Sequence, residues 1–172
     1  FDGNLKKAIL ELSNEEPALS RAQQLLATTP EEEHDCLFFF HRGLLNFYQA
    51  KWKLAEADLC QSLQLRASPD PETVVLLSEL YRIQSRPQES LDLLEASYEQ
   101  LPENSQLQYA LAHDLLLNQH WDSGWSLYES RLHKDDQIFP MGIRPNWSGQ
   151  SLANQSVLVL AEQGLGDTLM AA

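Results

Sequence analysis

Basic residues are scarce in this 172-residue chain: 12 lysines and arginines face 25 aspartates and glutamates, a formal charge of −13 at pH 7. Non-specific nucleic-acid binding needs a Lys/Arg footprint to displace counterions, so the balance argues against it. Docking on an anionic membrane surface is disfavoured on the same ground. Two cysteines, Cys36 and Cys60, cannot make a disulfide framework. Each falls in a helical pattern and reads as a reduced, packed thiol of a cytoplasmic protein. No apolar run exceeds five residues, as in Val157–Ala161, whereas a membrane span takes about 20. The opening FDGNLKKAILEL lacks the basic-then-apolar order of a secretory signal. It also lacks an initiator methionine, as expected of a piece of a longer protein. Seven glycines and eight prolines are too few for collagen or a low-complexity linker. What is present, 43% hydrophobic residues in a chain of this length, suffices for a core without disulfides or metal.

Those apolar residues recur at a long period. Ala18, Ala55, Ser90 and Gly124 each open the core face of a helical pattern, at intervals of 37, 35 and 34 residues. Four positions on come Ala22, Leu59, Leu94 and Tyr128, and seven on come Leu25, Ser62, Ser97 and Arg131, which is one face of a helix. The small residue lets two helices approach closely while the larger ones fill the groove. A first helix precedes each: Phe39, Gly43, Asn46 and Phe47 lie beneath Ala55; Val74, Leu77, Ser78 and Tyr81 beneath Ser90; Gln108, Leu111, Ala112 and Leu115 beneath Gly124. Pro30, Pro69 and Pro102 end second helices, and Pro17 and Pro87 open them, where a missing N–H costs little. Asp70 and Asn104 stand where they cap first helices.

A helix–turn–helix unit repeating at about 34 residues resembles the tetratricopeptide family, over residues 1–132. The resemblance implies an all-α fold, a right-handed superhelix of about four helix pairs whose first helices line a concave side. The pattern is departed from at Ser78 and Ala112, which replace a usual glycine, at Lys6 in the first unit, and at Ser90 and Gly124, which replace a usual alanine. Glu31–Glu33 reads as a solvated acidic turn inserted between units. The core register then leaves Phe40, Leu44 and Phe47, Glu72, Glu79 and Arg82, and Tyr109, His113 and Leu116 on the inner wall. Such a groove, apolar at one end and mixed polar at the other, takes a protein or peptide segment. The carboxylate clamp of chaperone-binding relatives is missing, since Phe40, Leu44, Val75 and Glu79 stand where it would be.

After Leu132 helical periodicity stops. Residues 133–156, with Pro140, Gly142, Pro145 and Gly149, read as a linker or capping loop, with Ile138, Phe139 and Trp147 available to pack on the last helix pair. VLVLA at Val157–Ala161 suits a buried parallel strand, and EQGLGDTLMAA a glycine-rich turn into a helix. Alone, that turn is as well read as one that binds nothing. The succession GWSLYESR, RPNWSG and VLVLAEQGLGDTL resembles bacterial proteins joining tetratricopeptide repeats to a heptosyltransferase-like glycosyltransferase domain, similar in organisation to O-linked N-acetylglucosamine transferases. The resemblance implies that Gly164 and Gly166 flank a nucleotide-sugar cleft in a complete enzyme, with Asp167 as base or acceptor-positioning group. One strand and one turn form no such pocket, so residues 1–172 are expected to bind no cofactor and to catalyse nothing. The orphan strand of residues 157–172 is expected to fray or to pair with a second copy.

Other constellations are poor. The five histidines, His34, His41, His113, His120 and His133, lack HExxH spacing or a nearby cysteine pair, so no metal site is expected. Adjacent His113 and Asp114 point to different faces of a helix. Trp52, Trp121, Trp125 and Trp147 read as packing anchors rather than a ligand platform. Two functions follow: a protein-binding helical scaffold, or the front portion of a glycosyltransferase whose helices present the acceptor.

Overall fold

A computed structural model of the chain describes residues 16–133 and 149–153. Among the described residues the regular structure is all helical. Seven α-helices follow in order: α1 (Glu16–Thr28), α2 (Cys36–Tyr48), α3 (Trp52–Gln64), α4 (Pro71–Ile83), α5 (Pro87–Gln100), α6 (Ser105–Leu117) and α7 (Trp121–Tyr128). Short 3₁₀ turns stand at Glu31–Glu33 and Glu129–His133. The chain divides into two compact units, residues 1–137 and 138–172. Of the second, residues 149–153 are described; they form neither helix nor strand, and Gly149 takes φ +91°. The expected strand at Val157–Ala161 and the turn through Gly164, Gly166 and Asp167 lie outside the described residues, as do the first helix of the first unit and Trp147.

Helices α2, α4 and α6 start on side-chain caps. Asp35 accepts from the Phe38 N–H at 2.8 Å, Asp70 from the Thr73 N–H at 3.0 Å, and Asn104 from the Gln106 and Leu107 N–H groups at 3.1 and 3.0 Å. Each satisfies donors that a helix start otherwise leaves without partners. Helices α3, α5 and α7 have no side-chain cap; each follows a three-residue turn instead. In these turns Ala50, Ser85 and Gln119 take φ of +56°, +60° and +64°. The next N–H closes back on the preceding helix: Lys51 to the Asn46 carbonyl at 2.9 Å, Arg86 to Tyr81 at 2.9 Å and His120 to Leu115 at 2.8 Å. This is the left-handed Schellman ending, made three times without glycine.

So short a turn makes each pair antiparallel, and α2 packs on α3, α4 on α5 and α6 on α7. Small residues set how closely they approach. Gly43, Ser78 and Ala112 of the first helices are buried, as are Ala55, Ser90 and Gly124 of the second. A β-carbon on Gly124 would lie 2.8 Å from Leu116 Cγ, and one on Gly43 would lie 2.9 Å from Leu59 Cγ. The caps, turns and small positions all recur at intervals of 35 and 34 residues.

The apolar interior runs from hairpin to hairpin. Leu26, Phe38, Leu45, Leu59, Leu77 and Leu80 join α1 to α4 in one cluster, and Val74, Leu91, Leu94, Leu107 and Leu111 join α4 to α6 in a second. Leu63 and Leu93 pack against both. Each such leucine contributes about 2–5 kcal/mol relative to alanine. Polar links tie neighbours too: Ser62 Oγ donates to the Cys36 carbonyl at 2.7 Å, and Arg86, just ahead of α5, reaches Glu56 of α3 at 2.8 Å. No described helix is long and apolar enough to cross a membrane.

Candidate partner-binding surface

The residues expected on an inner wall separate into two groups. Phe40 and Leu44 are each only 6% exposed and belong to the first core cluster. They are not open surface. The reason lies in CLFFFHRGLLNFY, which is apolar nearly all round, and a helix of that kind is covered on most sides. Phe47 is half-buried and meets Trp52 edge-on, with centroids 5.6 Å apart. On α4, Glu72 is half-buried and Glu79 exposed. On α6, Tyr109, His113 and Leu116 are half-buried.

Tyr109 and His113 come together edge-on, with ring centroids 4.7 Å apart. Both lie against Tyr128 of α7, at 5.6 and 5.7 Å, and Trp125 meets Tyr128 edge-on at 5.6 Å. The Arg131 guanidinium stands 4.7 Å over the Tyr128 ring. An aromatic cluster with a cation on its rim is the result, formed between the last two described helices. Its rings present apolar area that loses little side-chain entropy on binding.

Arg82 does not stand free on the wall. Its Nη1 lies 3.0 Å from Oδ1 of Asp114, a carboxylate 1% exposed on the face of α6 turned away from His113. The other oxygen, Oδ2, is in short hydrogen-bond contact with Ser90 Oγ, which also lies 3.0 Å from the Ser78 carbonyl. Burial pushes the Asp114 carboxyl above the usual aspartate range, against the opposing pull of the Ser90 hydroxyl and the Arg82 charge. This network joins α4, α5 and α6. A similar link closes the first hairpin, where Arg42 Nε lies 3.1 and 3.0 Å from the two Asp58 oxygens and Asn46 Nδ2 donates to Oδ2 at 2.9 Å.

Burial pushes the Cys60 thiol up, a hydrogen bond with Tyr81 opposing it, and the Tyr81 hydroxyl is pushed up to about 12. Both cysteines are free and half-buried. A cleft of about 210 Å³ opens between α1 and α2, lined by Leu26, Arg42, Asn46, Gln49 and Lys51 among others. Small-molecule sites run to about 300–1,000 Å³, so it falls below their range. Its Arg42 is already committed to Asp58.

Two features were not legible in the sequence. Trp121 and Trp125, expected as packing anchors, are 54% and 58% exposed; Trp125 occupies the position that Leu91 has one hairpin earlier, and Leu91 is covered by packing with α6. Trp52 does pack as expected. Tyr48, Ile83 and Leu117, the last residues of α2, α4 and α6, are 43%, 46% and 66% exposed. Their 35- and 34-residue spacing was the available signal. No protein-family model matches this sequence, and no curated protein matches it.

Proposed function

We propose that the chain is a tetratricopeptide-type scaffold that holds a protein or peptide segment against the first helices, in a right-handed superhelix, and that it performs no catalysis itself. One observation carries this reading: capped starts at Asp35, Asp70 and Asn104, left-handed turns at Ala50, Ser85 and Gln119, and small residues at Gly43, Ser78 and Ala112 recur in step. Hairpins repeated in this way build extended binding surfaces rather than enclosed reaction chambers. Glu79, Arg82, Tyr109, His113 and Leu116 are the contact residues, with Phe47 and Glu72 at the margin; Phe40 and Leu44 support the wall from beneath. The free cysteines fit a reducing cytoplasm.

Selection of a phage-displayed random peptide library on the purified chain tests this reading. Enriched peptides are expected to bind the parent and to lose about tenfold or more in affinity on Glu79→Lys or His113→Ala. Absence of enrichment, or binding indifferent to both substitutions, contradicts it.

A second reading, the front portion of a nucleotide-sugar-dependent glycosyltransferase whose helices present the acceptor, rests on the ordered motifs GWSLYESR, RPNWSG and VLVLAEQGLGDTL. In that reading Gly164, Gly166 and Asp167 belong to a donor cleft of the whole enzyme. Calorimetric titration with a nucleotide-sugar tests whether the pocket is incomplete here, since saturable binding by residues 1–172 contradicts that expectation. Residues 157–172 remain a proposed self-association segment, tested by sedimentation across a concentration series.

A further inference from the structure

The turns between paired helices carry an apolar ridge that the inner wall does not include. Tyr48, Ile83 and Leu117 occupy the same position at the ends of α2, α4 and α6, two residues before the left-handed turns, and each is 43% exposed or more. Across each turn the first residue of the next helix is again apolar: Trp52, Pro87 and Trp121. Helix α4 packs directly on both α2 and α6, so the three turns stand side by side along one edge. At 43–66% exposure these side chains leave much of their apolar area in solvent. Exposed apolar residues scattered singly need no explanation, but three in register along one edge form a contiguous ridge of the kind that marks an interaction site.

The charges along this edge change sign. Lys51 and Lys53, exposed and without an ion pair among the described residues, flank the Tyr48 turn. Exposed Asp122 flanks the Leu117 turn and forms no ion pair among the described residues. Arg86, beside Ile83, is already paired with Glu56 and Glu89. A bound segment therefore meets two cations at one end and an anion at the other.

The spacing selects the shape of that segment. Neighbouring packed helices lie about 8–10 Å apart, and seven residues of an α-helix rise about 10.5 Å. The geometry points to an amphipathic helix of a partner protein, with apolar residues every seventh position seated on Tyr48, Ile83 and Leu117, acidic residues over Lys51 and Lys53, and basic residues over Asp122. This inference rests on the scaffold reading, because it needs the hairpins stacked in register, but it uses a different surface.

The test is fluorescence anisotropy with a labelled synthetic peptide of about 18 residues, leucine at every seventh position, glutamates at one end and lysines at the other. A second peptide carries the same residues with the leucines placed off that stripe. The first peptide is expected to bind, the second to bind about tenfold or more weaker, and Ile83→Asp to weaken the first by a similar factor. Leu65→Asp, at a residue 50% exposed at the opposite end of α3 from the turns, is expected to leave binding unchanged and shows that a new surface aspartate does no general harm. Circular dichroism of each variant confirms the helical fold. No binding, equal binding of the two peptides, or full binding by Ile83→Asp overturns the ridge. If library-selected peptides still respond to Glu79→Lys while this peptide fails, the ridge alone is wrong; if both fail, the scaffold reading falls with it.

Discussion

Gly43→Ala is a sharp probe of how closely the first hairpin is packed, because two effects of similar size oppose each other. Gly43 lies inside α2, where alanine is worth about 1 kcal/mol over glycine on helix propensity alone. The added methyl would sit 2.9 Å from Leu59 Cγ, 3.0 Å from its Cδ2 and 3.3 Å from Asp58 Cβ. Neither neighbour can retreat. Leu59 is fully buried in the core, and Asp58 is held by Arg42 and Asn46. Overpacking of this kind costs about 1–3 kcal/mol, so the net expectation is a loss of about 1 kcal/mol. Urea unfolding measures it as a lower midpoint with an unchanged slope. Repeating the substitution in a Leu59→Ala background isolates the cause. That change alone costs about 2–5 kcal/mol, but with the closer obstruction gone and only the 3.3 Å approach to Asp58 Cβ left, Gly43→Ala should there cost less than in the parent or stabilise by up to about 1 kcal/mol. The same effect in both backgrounds, or stabilisation in the parent, would refute the packing argument.

Gln119→Gly should stabilise the chain by about 0.5–1 kcal/mol, since glycine meets no penalty at φ +64° and the gain exceeds its added unfolded-state entropy; the urea midpoint should rise, as it should for Ser85→Gly. Removing a cap by Asn104→Ala should cost about 0.5–2 kcal/mol in the same assay, and Asp70→Ala somewhat more, because Asp70 also accepts from Thr73 Oγ1 at 2.6 Å. For Asp114, burial raises the folded-state pKa above the ordinary 3.8, so the unfolded state releases its proton first as pH rises. The stability of the parent relative to Asp114→Asn should therefore fall as pH climbs above 3.8 and level off once the buried carboxyl has ionised; a relative stability that rises over that range would contradict the burial argument.

What could be read in the sequence was local. Asp70 and Asn104 cap helices because their side chains reach donors two or three residues on, and Pro87 opens α5 because its ring suits a first turn; neither depends on distant parts of the chain. The small residues at 55, 90 and 124 were legible because close helix approach tolerates little else. Which faces are covered was much harder to read. Phe40 and Leu44 share a helical stripe with Phe47, yet only the structure shows that the first two are buried. The pairing of Arg82 with Asp114 spans 32 residues and does not repeat between hairpins, so periodicity gave no sign of it. The left-handed turns carry Ala, Ser and Gln, none of which announces a positive φ. Trp125 departs from the expected packing anchor: the same position one hairpin earlier, Leu91, is covered by the following helix α6, and α7 is the last described α-helix.

The equivalence of the hairpins is open to direct measurement by pulsed electron-spin distances in a background without Cys36 and Cys60. Labels at Lys53, Gln88 and Asp122 occupy the same exposed position, the second residue of α3, α5 and α7. Hairpins stacked in register give matching 53–88 and 88–122 distances and a 53–122 distance close to twice either. Clearly unequal neighbouring distances, or a 53–122 distance no longer than the other two, would contradict the account.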